Sequence, residues 1–222
     1  MSHPLDIKYS IPLEREYESW IAEGIEKYFE NIGIKVDIWA VSPSVEKKWP
    51  SDEQMIVNGK LIGLQVKRAH YSHTVSDPKK FGKLHWLFSN PKGQYDLVKC
   101  FPEIYYCLPT FLNRGIKKEA LSHCLFWRPE GGVDNSRAWY DNPLAGKPFN
   151  KICNAPRWGK FLEGIYDCTV GKRVRSVTEI SDYVSRGQSF LREFGYEEIS
   201  AENDRYKPGN FTTYYAYVPF SS

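Results

Sequence analysis

At 222 residues the chain is long enough for one large domain with a sizeable core, since 41% of its residues are hydrophobic and 26% are charged. The formal net charge of +3 permits a polyanionic partner without demanding one. No apolar stretch approaches the roughly 20 residues that a membrane-spanning helix needs, so the sequence argues against a membrane protein.

The five cysteines favour reduced thiols over a disulfide framework. Their number is odd, no CxxC pair occurs, and the segment MSHPLDIKYSIPLERE lacks the apolar core of a secretory signal. We therefore expect a soluble, cytoplasmic protein. The cysteines in YYCLP and HCLFW are expected to be small core residues. The full set is Cys100, Cys107, Cys124, Cys153 and Cys168.

The first predicted element is a helix over LEREYESWIAEGIEKYFENIG, which begins after Pro12 and ends at Gly33. Helical spacing gives it an apolar stripe, and both Glu14 and Glu18 lie on the centre of that stripe. A carboxylate there either snorkels at a frayed end, as we expect for Glu14, or faces a cation. For Glu18 both interpretations stay open. The apolar members of the stripe are Ile21, Ile25, Phe29 and Ile32.

Strands dominate the next part of the chain. IKVDIWAVS is a predicted strand, and the apolar runs EQMIV and KLIGLQVKR flank Asn58-Gly59, the favoured two-residue turn of a β-hairpin. YDLVKCF is predicted to be a helix, and EIYYCLPTFL and HCLFWRP are predicted to be further strands.

The region after residue 128 is rich in Gly, Pro and Asn and is predicted to form long loops up to about residue 157. KRVRS is interpreted as a solvated basic patch before a second helix, SVTEISDYVSRGQSFLREFG. That helix has a capping box at Ser176 and Glu179 and a terminating Gly195. FTTYYAYV is the last predicted strand. The order predicts a single α/β domain with a mixed sheet flanked by helices, a core over about residues 12–127 and a loop-rich region with a helix and final strand over residues 128–222.

Polar side chains are expected to meet at the end of the second hairpin strand. Gln65 and Lys67 share one face of that strand, because side chains alternate. The predicted turn would place Asp52 opposite Gln65, and Glu18 could cover the same face. Carboxylate and amide oxygens suit Mg²⁺, while a lysine can orient a metal-bound water and stabilise charge on a phosphate. The pattern predicts metal-assisted phosphodiester hydrolysis.

Two other carboxylates compete with Asp52 for this position. Asp37 lies on a predicted strand, but its spacing to Gln65 is long. Glu53 would replace Asp52 if the hairpin register shifted by one residue.

A basic segment interleaved with aromatic residues follows over residues 70–92. Cations meet phosphates and rings stack on bases, so we predict that this segment contacts nucleic acid, with a solvated loop as the alternative. His70 and His73 could instead join Cys100 or Cys107 at a zinc ion. The candidate nucleic-acid contacts are Arg68, His70, His73, Lys79, Lys80 and Lys83.

These motifs resemble the PD-(D/E)XK nuclease superfamily. The resemblance rests on PSD at residues 50–52, LQVK at residues 64–67 and a preceding helix with an inward Glu, and it covers about residues 12–110. LQVKR is similar to the Gln-x-Lys variant of Mrr-type restriction endonucleases, in which Gln stands where Glu is commoner.

The resemblance implies a restriction-endonuclease-like fold and a nuclease that uses Mg²⁺ or Mn²⁺. It implies that Asp52 and Gln65 bind the metal, with Glu18 and the backbone carbonyl of Val66 as further ligands, and that Lys67 serves the attacking water. DNA rather than RNA is the expected substrate, and a homodimer is allowed. A non-catalytic nucleic-acid-binding or assembly protein of the same fold is the alternative, and a binding module without nuclease ancestry is the third hypothesis.

Overall fold

The computed structural model describes residues 11–41, 56–71, 84–88, 94–129, 138–140, 155–193 and 213–219. The α-helices in these ranges are α1 (Glu14–Asn31), α2 (Gln94–Cys100), α3 (Trp158–Tyr166) and α4 (Val177–Glu193), and a 3-10 helix spans Arg114–His123. The strands are β1 (Asp37–Val41), β2 (Ile56–Val66), β3 (His70–Tyr71), β4 (Leu84–Trp86), β5 (Ile104–Pro109), β6 (Cys124–Trp127), β7 (Ala138–Tyr140), β8 (Lys172–Ser176) and β9 (Thr213–Pro219).

A six-stranded mixed sheet forms the centre of the fold. Its order is β1-β9-β2-β5-β6, and β8 also pairs with β2. Because β9 occupies one side of β2, β8 and β5 share the other side, β8 beside residues 56–61 and β5 beside residues 63–66. The β2–β5 pair is parallel and the other pairs are antiparallel. β3, β4 and β7 form a separate three-stranded sheet. The predicted mixed sheet is confirmed.

Helices cover both faces of the central sheet. On one face, here called the α1 face, α1 packs against Leu64, Val66 and Tyr214. On the other, the α4 face, Gln94 of α2 is hydrogen bonded to Gln65, and Gly187 of α4 lies against the Tyr215 hydroxyl. Neighbouring residues on a strand point to opposite faces, so the sheet separates the side chains of Leu64 and Gln65. The prediction of a sheet flanked by helices is confirmed.

Helix α1 begins and ends close to the predicted positions. Ile21, Ile25 and Phe29 are buried, as their spacing predicts. Ile32, expected on the same stripe, is 48% exposed because α1 ends at Asn31. Gly33 follows with φ +76°, a conformation that glycine adopts without steric cost and that turns the chain away from the helix axis.

The predicted hairpin turn at Asn58-Gly59 is wrong. Both residues lie inside β2, where Gly59 pairs with Val174 on one side and Pro219 on the other. A Cβ atom on Gly59 would come within 2.4 Å of the Val218 carbonyl oxygen, so glycine serves close backbone approach here, beside a register shift between Ile56 and Gly59. Strand pairing around this turn therefore cannot deliver Asp52 to Gln65.

The C-terminal half holds more regular structure than the sequence predicted. The second helix is confirmed as α4: the Glu179 amide donates to Ser176 Oγ at 3.1 Å, and the Glu179 carboxylate accepts from the Arg175 amide. KRVRS, predicted to be a solvated patch, is strand β8, and α3 was not predicted. The predicted final strand, β9, lies inside the central sheet between β1 and β2. The terminating Gly195 lies outside the described residues.

Cys107 and Cys124 are buried core residues, as predicted. The other cysteines that the structure describes, Cys100 and Cys168, are exposed, and all four thiols are free. Over the described ranges, the helices are too short or too polar to cross a membrane.

Candidate functional site

Gln65 and Lys67 lie together at the carboxyl end of β2, on the α4 face. Gln65 pairs in register with Tyr106 of β5, and Lys67 Nζ lies 5.9 Å from the centroid of the Tyr106 ring. Both polar side chains are buried, Gln65 at 0% exposure and Lys67 at 3%. The alternation of side chains along the strand predicts this shared face, but it does not predict such complete burial.

The amide of Gln65 is held at both ends. Its Nε2 donates to Thr213 Oγ1 at the start of β9, and its Oε1 accepts from Gln94 Nε2 at 2.6 Å. Gln94 and Thr213 are themselves buried. The sequence does not single out either residue. The only local signal is a glutamine that opens an apolar helix, and nothing near Thr213 in the sequence marks it.

Two oxygens at this strand end have no hydrogen-bond partner among the residues that the structure describes. They are Gln94 Oε1 and the Tyr106 hydroxyl, and both are buried. A buried polar atom without a partner costs about 1–3 kcal/mol, so such atoms mark places where a water, an ion or a ligand atom belongs. We call this group the β2-end site: Gln65, Lys67, Gln94, Tyr106 and Thr213.

Lys67 is the group of the β2-end site whose pKa lies near neutrality. Burial lowers the pKa of its ammonium to about 8, because the charged form loses its hydration, and the negative charge of Glu14 opposes that shift. A side chain with a pKa close to neutrality can exchange a proton with a neighbouring water during a reaction.

Glu18 lies on the other face of the sheet. It lines a small apolar cavity with Leu64 and Val66, and its carboxylate accepts a 3.3 Å hydrogen bond from the Tyr214 hydroxyl. Burial raises the pKa of Glu18 to about 7, and the charge of Glu14 acts in the same direction. The expectation that Glu18 covers the face of Gln65 is therefore wrong, because the sheet lies between the two side chains.

Glu14 is anchored rather than frayed. Its Oε2 accepts a hydrogen bond from the backbone amide of Arg68 at 3.2 Å, just beyond the end of β2. Of the two carboxylates on the α1 stripe, Glu14 is thus the one that acts electrostatically on Lys67.

The donor set at the β2-end site fits a divalent cation only if a carboxylate joins it. The side-chain oxygens of Gln65 and Gln94 and the backbone carbonyl of Val66 are neutral donors, and Mg²⁺ usually takes one or two carboxylates from a protein. The described ranges contain no group of three His, Cys, Asp or Glu side chains that could hold a metal. Asp52 and Glu53 lie outside the described residues.

Asp37, the competing aspartate, is exposed at the start of β1. Its strand is separated from β2 by β9, so it does not reach Gln65 by strand pairing.

The predicted nucleic-acid segment is only partly described. His70 pairs with His85 between β3 and β4, and their rings stack at 5.5 Å. His85 is buried, and Trp86 is fully buried and donates to the Pro109 carbonyl, so Trp86 is a core residue rather than a stacking platform. Arg68 is half-buried. His73, Lys79, Lys80 and Lys83 lie outside the described residues, as does the His73 ligand of the alternative zinc site.

No family model, no curated protein and no solved structure matches the chain. The observations that bear on its function are therefore the side chains at the end of β2 and the charged side chains on the surface.

Proposed function

We propose that the chain is a metal-dependent nuclease that acts in the cytoplasm and hydrolyses phosphodiester bonds, of DNA in preference to RNA. The observation that carries the proposal is a buried lysine, with a pKa of about 8, at a strand end where two buried oxygens lack hydrogen-bond partners among the described residues. The motif LQVK supplies this lysine, and the resemblance to the PD-(D/E)XK superfamily supplies the chemistry.

The proposal assigns roles to four residues of the β2-end site and to Asp52 and Val66. Asp52 would contribute the carboxylate, and the oxygen of Gln65 or Gln94 and the carbonyl of Val66 would complete the protein ligands. When bound, Mg²⁺ or Mn²⁺ would neutralise charge on the phosphate. Lys67 orients the attacking water at Nζ and exchanges a proton with it. Thr213 fixes the rotamer of Gln65 by accepting from its amide nitrogen.

The decisive experiment compares two buried lysines, Lys67 just after β2 and Lys60 within it. Lys67→Met and Lys60→Met each remove one buried ammonium, but Lys60 is seven residues from Lys67 and its Nζ lies 3.5 Å from the Gly171 carbonyl oxygen. Cleavage of supercoiled and linear DNA and of RNA is measured with Mn²⁺ or Mg²⁺. We expect Lys67→Met to lower the rate at least 100-fold, the lower range of a lost acid–base group, and Lys60→Met to retain it.

Thermal unfolding of both variants verifies that they fold. Absence of cutting by the wild type under all these conditions would overturn the proposal, and so would equal rates for wild type and Lys67→Met. Asp52→Asn provides an independent variant, which is expected to lose cleavage and Mn²⁺ binding together.

A second candidate function is a non-catalytic nucleic-acid-binding or assembly protein of the same fold. It is favoured by the state of Gln65, a neutral residue whose two amide atoms are both engaged within the protein. This candidate predicts nucleic-acid binding without cutting, and binding that is insensitive to Lys67→Met.

A further inference from the structure

A basic groove lies between β8 and α4, far from the β2-end site. Its volume is about 860 Å³, and its walls carry four cationic side chains, from Lys172, Arg173 and Arg175 on β8 and Arg186 on α4. All four residues are exposed. We propose that this groove binds the phosphate backbone of duplex DNA, as a contact separate from the β2-end site.

Three cations of the groove have no ion-pair partner among the described residues. No carboxylate in the described part of the chain forms an ion pair with Lys172, Arg175 or Arg186, although the buried carboxyl of Glu103 interacts electrostatically with Lys172 and Arg186. Arg186 and Asp182 are four residues apart on one helix, the spacing of a helical ion pair, yet the Arg186 guanidinium lies over the Tyr183 ring at 4.2 Å. Asp182 forms no ion pair with it.

Tyr183 arranges cations from both walls of the groove. Lys172 Nζ lies 5.6 Å from the centroid of its ring, and the Arg186 guanidinium lies over the same ring. A guanidinium held over a ring still has N–H donors for a phosphate, and less side-chain entropy is lost on binding. The other acid of the groove, Glu179, already accepts from the Arg175 backbone amide.

Protection of a sheet edge does not account for the whole groove. Among the described strands β8 pairs only with β2, and charged residues on such an edge oppose aggregation. That explanation covers the cations of β8. It does not cover Arg186 and Tyr183, which belong to α4 and face β8 across the groove.

The spread of charge along β8 favours a polymer over a small anion. Lys172 and Arg175 are three residues apart on this strand, about 10 Å, and their side chains leave it on opposite faces. Duplex DNA presents one charge per roughly 1.7 Å of its axis, so charges spread over this length meet several phosphates at once.

The groove and the β2-end site could contact one duplex. Lys172 pairs with Leu61, and Lys67 lies six residues further along the chain, about 20 Å away if the strand spacing is maintained. Lys172 and Arg186 belong to the α4 face, as Lys67 does, since Lys172 pairs with Leu61 and α4 lines the groove. The groove proposal does not depend on cleavage, because it concerns binding without metal.

The test is binding of a fluorescently labelled 20-base-pair duplex, measured by anisotropy in EDTA at several salt concentrations. The double substitution Lys172→Gln and Arg186→Gln is compared with Lys117→Gln and Lys118→Gln, which remove the same charge from exposed positions on the 3-10 helix. We expect the groove variant to bind about tenfold more weakly and to lose about two units of the log–log salt slope, and the control to match the wild type.

Arg175→Gln is a second variant that leaves the Tyr183 contacts intact, and it is expected to lose about one unit of slope. Equal slopes in groove and control variants would overturn the proposal. So would a wild type that does not bind the duplex, or one that binds a poly-glutamate peptide equally well. Loss of cutting in Lys67→Met with unchanged duplex binding concerns the nuclease proposal alone, so the two proposals fail separately.

Discussion

Glu18 and Lys67 are two buried ionisable residues on opposite sides of the central sheet. Their pKa values are shifted in opposite directions. Burial disfavours the charged form of each, so the pKa of Glu18 rises to about 7 and that of Lys67 falls to about 8. The folded protein therefore holds a proton on Glu18, and releases one from Lys67, more readily than the unfolded chain does. Their effects on stability fall in different pH windows.

Glu18→Gln should flatten the pH dependence of stability between pH 5 and pH 7.5. The ordinary pKa of a glutamate is 4.5, so between 4.5 and 7 the folded wild type binds more protons than the unfolded chain and loses stability as the pH rises. A rise of the pKa from 4.5 to about 7 corresponds to a total loss of about 3 kcal/mol. The variant keeps an acceptor for Tyr214 but carries no charge, so it should be more stable than the wild type at pH 7.5.

Urea unfolding of both proteins at several pH values measures this effect. Lys67 does not interfere, because its lowered pKa changes stability only above about pH 8. Glu23→Gln, at an exposed position already paired with Lys27, is the matched control and should follow the wild type. A constant difference between Glu18→Gln and wild type across this range would contradict the prediction.

The sequence predicts only part of the β2-end site. Gln65 and Lys67 follow from strand alternation, which is a local property. Gln94 and Thr213 contact Gln65 from 29 and 148 residues away, so no local pattern identifies them. The misplacement of Glu18 has a similar cause. Helical spacing predicts that it faces the sheet, but not which face of the sheet α1 covers.

Strand β2 shows how tertiary pairing overrides a turn signal. Asn58-Gly59 favours a hairpin when two strands compete only with each other. In this fold β2 has neighbours on both sides, β9 along residues 59–64 and β8 along residues 56–61, and these pairs keep the chain extended through the Asn-Gly step. The small size of Gly59 then serves packing rather than turn formation.

Gly59→Ala should destabilise the protein by about 1–3 kcal/mol. The added methyl group would lie 2.4 Å from the Val218 carbonyl oxygen and 2.7 Å from Tyr217 Cε2, so β9 would have to move away from β2. Gly159→Ala is the control, because a Cβ atom at this exposed position of α3 meets no atom within 4 Å. Alanine is the better helix former, so this variant should be neutral or more stable by up to about 1 kcal/mol.

Chemical denaturation measures both glycine variants. If Gly59→Ala were as stable as Gly159→Ala, β2 and β9 would not approach as closely as the structure shows, and a turn at Asn58-Gly59 would again be a valid explanation.

The central sheet of the molecule is assembled from distant parts of the chain. Hydrophobic periodicity predicts the fold class and the main helices and strands, because those are local properties. It does not predict strand order, which depends on pairing across long separations. The predicted core over residues 12–127 consequently omits β8 and β9, although these strands flank β2 on its two sides.

Removal of β9 should therefore abolish folding, because β9 is part of the central sheet and not a separate C-terminal extension. β9 lies between β1 and β2 and buries Tyr215 and Val218 in the core. A chain shortened to residues 1–212 would expose one side of β2 and the apolar residues beneath it, and an unprotected apolar edge aggregates. We expect this chain in the insoluble fraction or without a cooperative unfolding transition, and a chain of residues 1–219, which retains β9, to unfold like the full sequence. A soluble, cooperatively unfolding chain of residues 1–212 would show that residues 11–193 form a stable core without the final strand.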